Sequence, residues 1–135
     1  MPKIPAVLLV DDDPTTNFLH KKLLQRLDIT DDIRVALNGQ EALHELQQYC
    51  QQPPANHPVL VLLDINMPVM NGIQFLETYR QLPSEQQRAV VVVLLTSSVS
   101  PRDRQRVQEL PIADYLSKPL TQQQVERVLA QHFAA

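Results

Sequence analysis

The sequence predicts an α/β fold, a doubly wound parallel sheet with helices on both faces. Residues 59–63 and 89–95 are short segments made almost entirely of Val and Leu. Such segments are typical of strands that are buried on both faces because helices cover a parallel sheet. Segments with helical apolar spacing alternate with these strands, and right-handed crossovers between parallel strands give a doubly wound sandwich.

Three more strands complete a predicted sheet of five. Residues 6–10 form a short apolar segment suited to a buried strand. Residues 33–37 and 112–116 are weaker strand candidates, so we expect them to lie further out in the sheet. The result is a pattern of five strands that alternate with five helices.

The five helices are predicted from side chains that can cap a helix and residues that suit its first turn. Asp13 can cap the first helix, and Pro14 suits the first helical position. The other helices begin at Asn38 with Glu41, at Asn71 with Gly72, at Ser100 with Pro101, and at Thr121 with Gln124. In the first helix the apolar positions that recur at helical spacing are Phe18, Leu19, Leu23, Leu24 and Leu27.

Composition and charge limit the functional classes. A chain of 135 residues has about the size of one domain, so we expect a single domain over residues 1–135 and no output domain. The net charge of −3 and the lack of tryptophan argue against DNA binding and give no reason to expect membrane binding. The lone Cys50 cannot form an internal disulfide, and no apolar segment is long enough to span a bilayer. These observations favour a cytoplasmic protein.

Polar side chains follow four of the predicted strands, at the carboxyl ends where doubly wound sheets bind their ligands. Along the chain they are Asp11 and Asp12, then Asp64, then Thr96, and finally Lys118. Each alone fits a turn, a cap or a solvated surface, but their joint placement favours a site. Grouped carboxylates raise one another's pKa unless a cation intervenes, and Mg²⁺ prefers oxygen ligands. The pattern therefore predicts a Mg²⁺ site in which Asp64 is a nucleophile that forms an acyl phosphate.

Four segments resemble the signature blocks of response-regulator receiver domains, in the same order along nearly the whole chain. They are VLLVDDDP at 7–14, LDINMPVMNG at 63–72, LTSS at 95–98 and YLSKP at 115–119. The resemblance implies a flavodoxin-like fold with strand order 2-1-3-4-5. It also implies a phosphoacceptor switch of a bacterial two-component or phosphorelay system, with no enzymatic activity beyond self-phosphorylation and self-dephosphorylation. The wording of 66–72 and 96–98 is similar to stand-alone receivers found with bacterial phytochromes and hybrid kinases.

The same resemblance implies a role for each site residue. Asp64 would accept a phosphoryl group from a histidine kinase or a histidine phosphotransfer protein. Asp12, Asp64 and the backbone carbonyl of Asn66 would bind Mg²⁺ directly, whereas Asp11 would help through a water molecule. The phosphorylated protein would signal through contacts with an unknown downstream protein, and a homodimer remains open.

Four further residues are expected to bind the phosphoryl group or to respond to it. By the resemblance, Lys118 would pair with the phosphoryl group, Thr96 would move towards it, and Tyr115 would swing inward as the coupled aromatic residue. Ser97 keeps the position after Thr96 small, so the site should stay open. The peptide bond between Lys118 and Pro119 would be cis, since an X-Pro bond is the plausible site of a cis peptide.

Two other functions fit parts of this pattern. A haloacid-dehalogenase-like phosphatase also uses a strand-end Asp nucleophile with Mg²⁺. However, its general acid/base is a second Asp at the position where this chain has Asn66, which cannot transfer the proton. The other alternative is a receiver fold that never takes phosphate, and the complete set of acidic, hydroxyl and lysine residues argues against it.

Two further expectations concern residues outside the strand ends. Receivers often carry a glycine shortly before the aromatic residue of the fifth strand, whereas this chain has Pro111 in that stretch and no glycine. Because proline fixes φ, the turn before the fifth strand must differ from the usual one. The four histidines are expected on helix surfaces, at caps or in a loop, away from the strand-end cluster. They are His20, His44, His57 and His132.

Overall fold

The computed structural model describes residues 4–50, 59–65, 67–82, 90–96, 105–106, 108–110 and 112–133, without the side chains of residues 49, 50 and 96. The strands are β1 (Val7–Val10), β2 (Ile33–Ala36), β3 (Val59–Leu63), β4 (Val90–Thr96) and β5 (Asp114–Ser117). The helices are α1 (Pro14–Leu27), α2 (Gly39–Cys50), α3 (Gly72–Tyr79) and α4 (Gln122–His132).

The five strands form one parallel sheet in the order β2-β1-β3-β4-β5, which confirms the predicted fold and strand order. The weaker strand candidates, β2 and β5, lie at the two edges, as expected from their composition. The order reverses at β1, from which the chain moves first to β2 on one side and then to β3 on the other. The crevice beside such a switch point is where doubly wound sheets bind ligands.

Two hydrophobic cores lie on opposite faces of the sheet because alternate side chains of a strand point to opposite faces. In β1, Leu8 and Val10 pack with α2 and α3, whereas Val7 and Leu9 pack with α1 and α4. All residues of β1 and β3 are buried. This double coverage explains why these strands have no polar alternation in the sequence.

The predicted helix starts agree with the structure wherever they are described. The Asp13 carboxylate caps α1 by accepting hydrogen bonds from the Thr15 N–H and the Thr16 hydroxyl, and Pro14 lies at the first position. Asn71 and Thr121 each form a capping box at the start of α3 and α4. These caps satisfy backbone donors that the helix itself leaves unpaired.

The number of helices differs from the prediction. The described residues contain four complete helices where the sequence predicts five. The start signal of the other predicted helix, Ser100 with Pro101, lies outside the described residues, whereas Gln105, Arg106 and Gln108 are helical. Pro111 and His57 also lie outside them. Nowhere in the described ranges does a helix combine the length and apolar character needed to cross a membrane.

The predicted apolar face of α1 is wrong in its first half. Phe18 and Leu19 are exposed, at 59% and 58% of their surface, whereas Asn17 and His20 are buried with Leu24. The start of α1 lies beside the polar carboxyl ends of the strands, so its inner face there carries polar side chains. Further along the helix, Leu24 reaches the apolar core of the sheet face.

The loop between β3 and α3 is held by two glycines. The Gly72 N–H donates to the Ile65 carbonyl over 2.8 Å, and the Gly39 N–H donates to the Met70 carbonyl over 2.8 Å. A Cβ atom on Gly72 would lie 2.3 Å from the Asp64 carbonyl oxygen, which is too close for two atoms that are not bonded to each other. Gly72 is therefore required because the start of α3 packs directly against the backbone of Asp64.

Candidate functional site

Three carboxylates meet at the carboxyl ends of β1 and β3. Val10 and Leu63 are paired across these two strands, so the residues that follow them, Asp11 and Asp64, leave the sheet side by side. One oxygen from each of Asp11, Asp12 and Asp64 lies within 4.8 Å of the others. Asp11 and Asp64 are buried, at 5% and 7% exposure, whereas Asp12 is exposed. The structure thus brings together the acidic residues that the sequence predicts.

Lys118 reaches this acidic cluster from the end of β5. Its Nζ lies 2.5 Å from Oδ2 of Asp11 and 3.5 Å from Oδ1 of Asp64. The peptide bond between Lys118 and Pro119 is cis, as predicted. The ammonium group therefore sits between the two buried carboxylates and compensates part of their charge.

Backbone amides orient both buried carboxylates. Oδ1 of Asp11 accepts a hydrogen bond from the Asp13 N–H over 2.9 Å, and Oδ1 of Asp64 accepts one from the Ile65 N–H over 2.9 Å. Each carboxylate also contacts Lys118, so both side chains are held from two directions. A carboxylate held in this way loses little further freedom when it binds a ligand.

The environment shifts the pKa values of Asp64 and Lys118. Burial raises the pKa of Asp64 above its ordinary value. The positive charge of Lys118 lowers this pKa and the negative charge of Asp11 raises it, each by less than burial does. Burial by itself disfavours the charge on Lys118, but its hydrogen bond to Asp11 and its proximity to Asp64 outweigh burial and raise its pKa. Lys118 is consequently charged at neutral pH, whereas the ionised form of Asp64 is less favourable than in water.

The raised pKa of Asp64 leads to a prediction about stability. Because the folded protein holds this proton more tightly than the unfolded chain does, stability decreases as the pH rises from about 3.8 through the folded pKa. Asp64→Asn cannot ionise, so we expect it to unfold at a higher temperature than wild type at pH 7 in the presence of a chelator. The advantage should shrink as the pH falls towards the ordinary carboxyl pKa.

Thermal unfolding at several pH values tests this expectation, with Asp13→Asn as the control. A hydrogen bond from the Thr16 hydroxyl lowers the pKa of Asp13, so its ionisation does not destabilise the fold and its replacement should bring no gain. A stability gain for Asp64→Asn that does not change with pH would show that ionisation is not its cause.

The remaining predicted site residues are described only in part. Thr96 ends β4, where its backbone pairs with Ser117, one residue before Lys118. The side chain of Thr96 and all of Asn66 and Ser97 lie outside the described residues. Tyr115 is partly buried and packs against the core formed with α2 and α3.

Two residues beside the site, Asn17 and His20, are missed by sequence reasoning. His20 was expected away from the strand ends, but it is buried in α1 and lines one small cavity with Asp11, Asn17 and Asp64. The expectation is wrong because the sequence shows His20 only as a polar residue on an amphipathic helix. A signal was available: α1 begins directly after the acidic segment, so its first turns had to lie against the site.

The donor atoms at this site suit a hard divalent cation. Three carboxylates and one ammonium group leave a formal charge of −2 when all are ionised. Mg²⁺ is bound in proteins through one or two carboxylates while it keeps several waters, and an exposed carboxylate such as Asp12 leaves room for them. The residues present therefore fit the cation that the sequence predicts.

The chain resembles known signalling proteins along nearly its whole length. The family model described as "Response regulator receiver domain" matches residues 7–130. "Two-component response regulator 24" of Arabidopsis thaliana is 34% identical over 116 residues, which are 86% of this chain and 75% of that protein. The signal transduction histidine-protein kinase BarA of Escherichia coli K12 is 29% identical over 94% of this chain, which spans 13% of the kinase.

Solved structures show the same similarity. A two-component response regulator from Cytophaga hutchinsonii has a TM-score of 0.82 and 29% identity, with 96% of each chain covered. The bacteriophytochrome response regulator AtBRR has a TM-score of 0.78 and 29% identity, covering 99% of this chain and 96% of that one. The family model matches most of the chain, and the sheet order and these relatives agree with it. The chain belongs to the response regulator receiver domain family.

Proposed function

We propose that residues 1–135 act as one phosphoacceptor switch in the cytoplasm, with Asp64 as the residue that is phosphorylated. The observation that carries this proposal is the placement of Asp64, a buried carboxylate within reach of Lys118 and of two further carboxylates. The donor would be a phosphohistidine on a histidine kinase or a histidine phosphotransfer protein. The similarity to receiver segments within sensor kinases supports that class of donor.

The chemical step is a phosphoryl transfer to a carboxylate. An oxygen of Asp64 forms a new bond to phosphorus while the P–N bond of the phosphohistidine breaks, and the donor imidazole keeps the electron pair of that bond. The product is an acyl phosphate on Asp64, and its later hydrolysis by water restores the carboxylate. The amide of Ile65 holds the Asp64 carboxylate in place, which favours attack from a defined direction.

Charge compensation decides whether this transfer can occur. The incoming phosphoryl group is negative and would meet three carboxylates, so the site needs positive charge. Lys118 supplies one charge and would turn from Asp11 towards a phosphoryl oxygen. Asp11, Asp12, Asp64 and the backbone carbonyl of Asn66 would hold Mg²⁺. When bound, that ion neutralises negative charge at the phosphoryl group.

The signal would leave the site through the ends of β4 and β5. Thr96 would donate its hydroxyl to the phosphoryl group, with the small Ser97 beside it leaving the site open. Tyr115 would move further into the space near Thr96. Phosphorylation would thereby favour one of two arrangements of this surface, which a downstream protein then binds.

Intact-mass measurement after incubation with acetyl phosphate and Mg²⁺ tests the proposal. Wild type should gain the mass of one phosphoryl group, and Asp64→Ala should gain none. Asp13→Asn is the matched control, because this exposed cap lies in the same acidic segment yet should be phosphorylated like wild type. No gain on wild type, or an equal gain on Asp64→Ala, contradicts the proposal.

A further inference from the structure

We propose that His20 is a positioning residue for Lys118, which it holds in place by accepting a hydrogen bond from the backbone N–H of Leu120. The inference rests on the proposed function, because Lys118 matters to the reaction only if Asp64 takes the phosphoryl group. His20 itself touches neither the phosphoryl donor nor the reacting atoms. It acts through the short segment that carries Lys118.

The hydrogen bond joins parts of the chain that are 100 residues apart. The Leu120 N–H points to Nε2 of His20 over 3.5 Å, a long but aligned contact in a buried setting. His20 is 6% exposed and Leu120 is 7% exposed, so water has little access to either group. A buried N–H that loses its acceptor is left unpaired and destabilises the fold, so even a long hydrogen bond of this kind matters.

Lys118 lies in a segment of four residues between β5 and α4. On its amino-terminal side, the Ser117 carbonyl accepts a hydrogen bond from the Gln124 side chain over 3.2 Å. On its carboxyl-terminal side, the Leu120 N–H is held by His20, and Thr121 caps α4. The hydrogen bond to His20 thus ties the backbone of this segment to α1.

The same face of α1 also holds the partner of Lys118. Asn17 lies three residues before His20, so both point from one side of the helix. Nδ2 of Asn17 donates to the backbone carbonyl of Asp11 over 2.8 Å. Through Asn17 and His20, helix α1 contacts the backbones that carry both members of the ion pair between Asp11 and Lys118.

The shared cavity shows how close these groups are to the reacting carboxylate. Asp11, Asn17, His20 and Asp64 border one space of about 10 Å³, close to the smallest that holds a water molecule. A shift of α1, which supplies Asn17 and His20 to this space, therefore changes the surroundings of Asp64 directly.

The charge state of His20 agrees with its role as an acceptor. Burial lowers the pKa of His20, nearby Lys118 lowers it further, and Asp11 acts in the opposite direction. The lowered pKa favours the neutral imidazole, and because the Leu120 N–H points at Nε2, that nitrogen is the acceptor and the proton is assigned to Nδ1. A protonated ring would have no acceptor for Leu120.

Two replacements separate the acceptor from the bulk of the side chain. His20→Gln keeps an acceptor, the amide oxygen, near the place of Nε2. His20→Leu fills the buried position with an apolar group that cannot accept. Cooperative thermal unfolding of both variants establishes that each is folded before the other measurements are compared.

The decisive readout is the reactivity of Lys118 without Mg²⁺ or phosphodonor. Each protein is treated briefly with an amine-acylating reagent, and the labelling of Lys118 is measured by peptide mass spectrometry relative to Lys21 and Lys22 on the outer side of α1. We expect Lys118 of His20→Leu to react about fivefold faster than in wild type, as for the loss of one hydrogen bond. His20→Gln should stay within about twofold of wild type, since its acceptor replaces that bond.

Phosphorylation by acetyl phosphate is then followed by intact mass, where His20→Leu should be slower and His20→Gln close to wild type. Unchanged Lys118 labelling in His20→Leu overturns the inference. Equal increases in both variants also overturn it, because the shape of the imidazole rather than its acceptor would then matter. If labelling behaves as expected but wild type takes no phosphoryl group, the positioning contact holds and the proposed function fails.

Discussion

Gly72→Ala is expected to destabilise the protein by about 3 kcal/mol, because the added methyl group has no space. The new Cβ would lie 2.3 Å from the Asp64 carbonyl oxygen and 2.9 Å from Cα of Ile65. Both are backbone atoms of the segment that carries the Asp64 carboxylate, so neither can rotate away as a side chain would. The strain would be relieved only by moving Asp64 or the start of α3.

Gly39→Ala is the matched control for this prediction. Its Cβ would lie 2.7 Å from Cγ of Met70, an atom of a flexible side chain that can turn aside, and 3.0 Å from the Met70 carbonyl oxygen. We therefore expect a clearly smaller loss of stability, partly offset because alanine is favoured over glycine within a helix. Urea unfolding compares the two variants. Equal stability of both would mean that the contact between Gly72 and Asp64 is less rigid than the structure indicates.

The core of the fold could be predicted from the sequence because its signals are local and strong. The bounds of β3 agree with the predicted residues 59–63, since a strand buried on both faces is apolar throughout. Edge strands carry weaker signals: β5 begins at Asp114, two residues after the predicted start. Its position was set by pairing with β4, which no local pattern reveals.

The site residues that follow strands were predictable from the topology of the sheet. Asp11, Asp64 and Lys118 follow strands, and the carboxyl ends of parallel strands meet at one edge, so topology alone brings them together. Asn17 and His20 lie on a helix, where the direction of each side chain depends on how the helix docks. The apolar residues Phe18 and Leu19 suggested one rotation of α1, and the structure has another.

Lys118 should oppose the binding of Mg²⁺ and favour the binding of a phosphoryl group, and replacing Lys118 should separate these two effects. In the structure its ammonium group serves as the cation of the acidic site, 2.5 Å from Asp11 and 3.5 Å from Asp64. A divalent cation that enters the site must therefore compete with Lys118 for these carboxylates. A phosphoryl group that reaches Asp64, by contrast, would gain from the same positive charge.

Lys118→Met should consequently bind Mg²⁺ more tightly and be phosphorylated more slowly. Loss of the competing ammonium group should strengthen Mg²⁺ binding about tenfold, which corresponds to roughly 1.4 kcal/mol. Without Mg²⁺ the variant should be less stable than wild type by about 2 kcal/mol, because the buried carboxylates lose their partner. Added Mg²⁺ should recover most of this difference.

Calorimetric Mg²⁺ titration and thermal unfolding with and without the ion measure these effects. Lys22→Met is the matched control: it removes the same charge from α1, where the ammonium group lies 5.4 Å from the centre of the Phe18 ring and outside the acidic cluster. It should leave Mg²⁺ affinity and phosphorylation unchanged. If Lys118→Met binds Mg²⁺ no more tightly than wild type, Lys118 does not compete for the carboxylates. Its contact with Asp11 would then persist beside the ion, and Lys118 would have to reach the phosphoryl group without leaving Asp11.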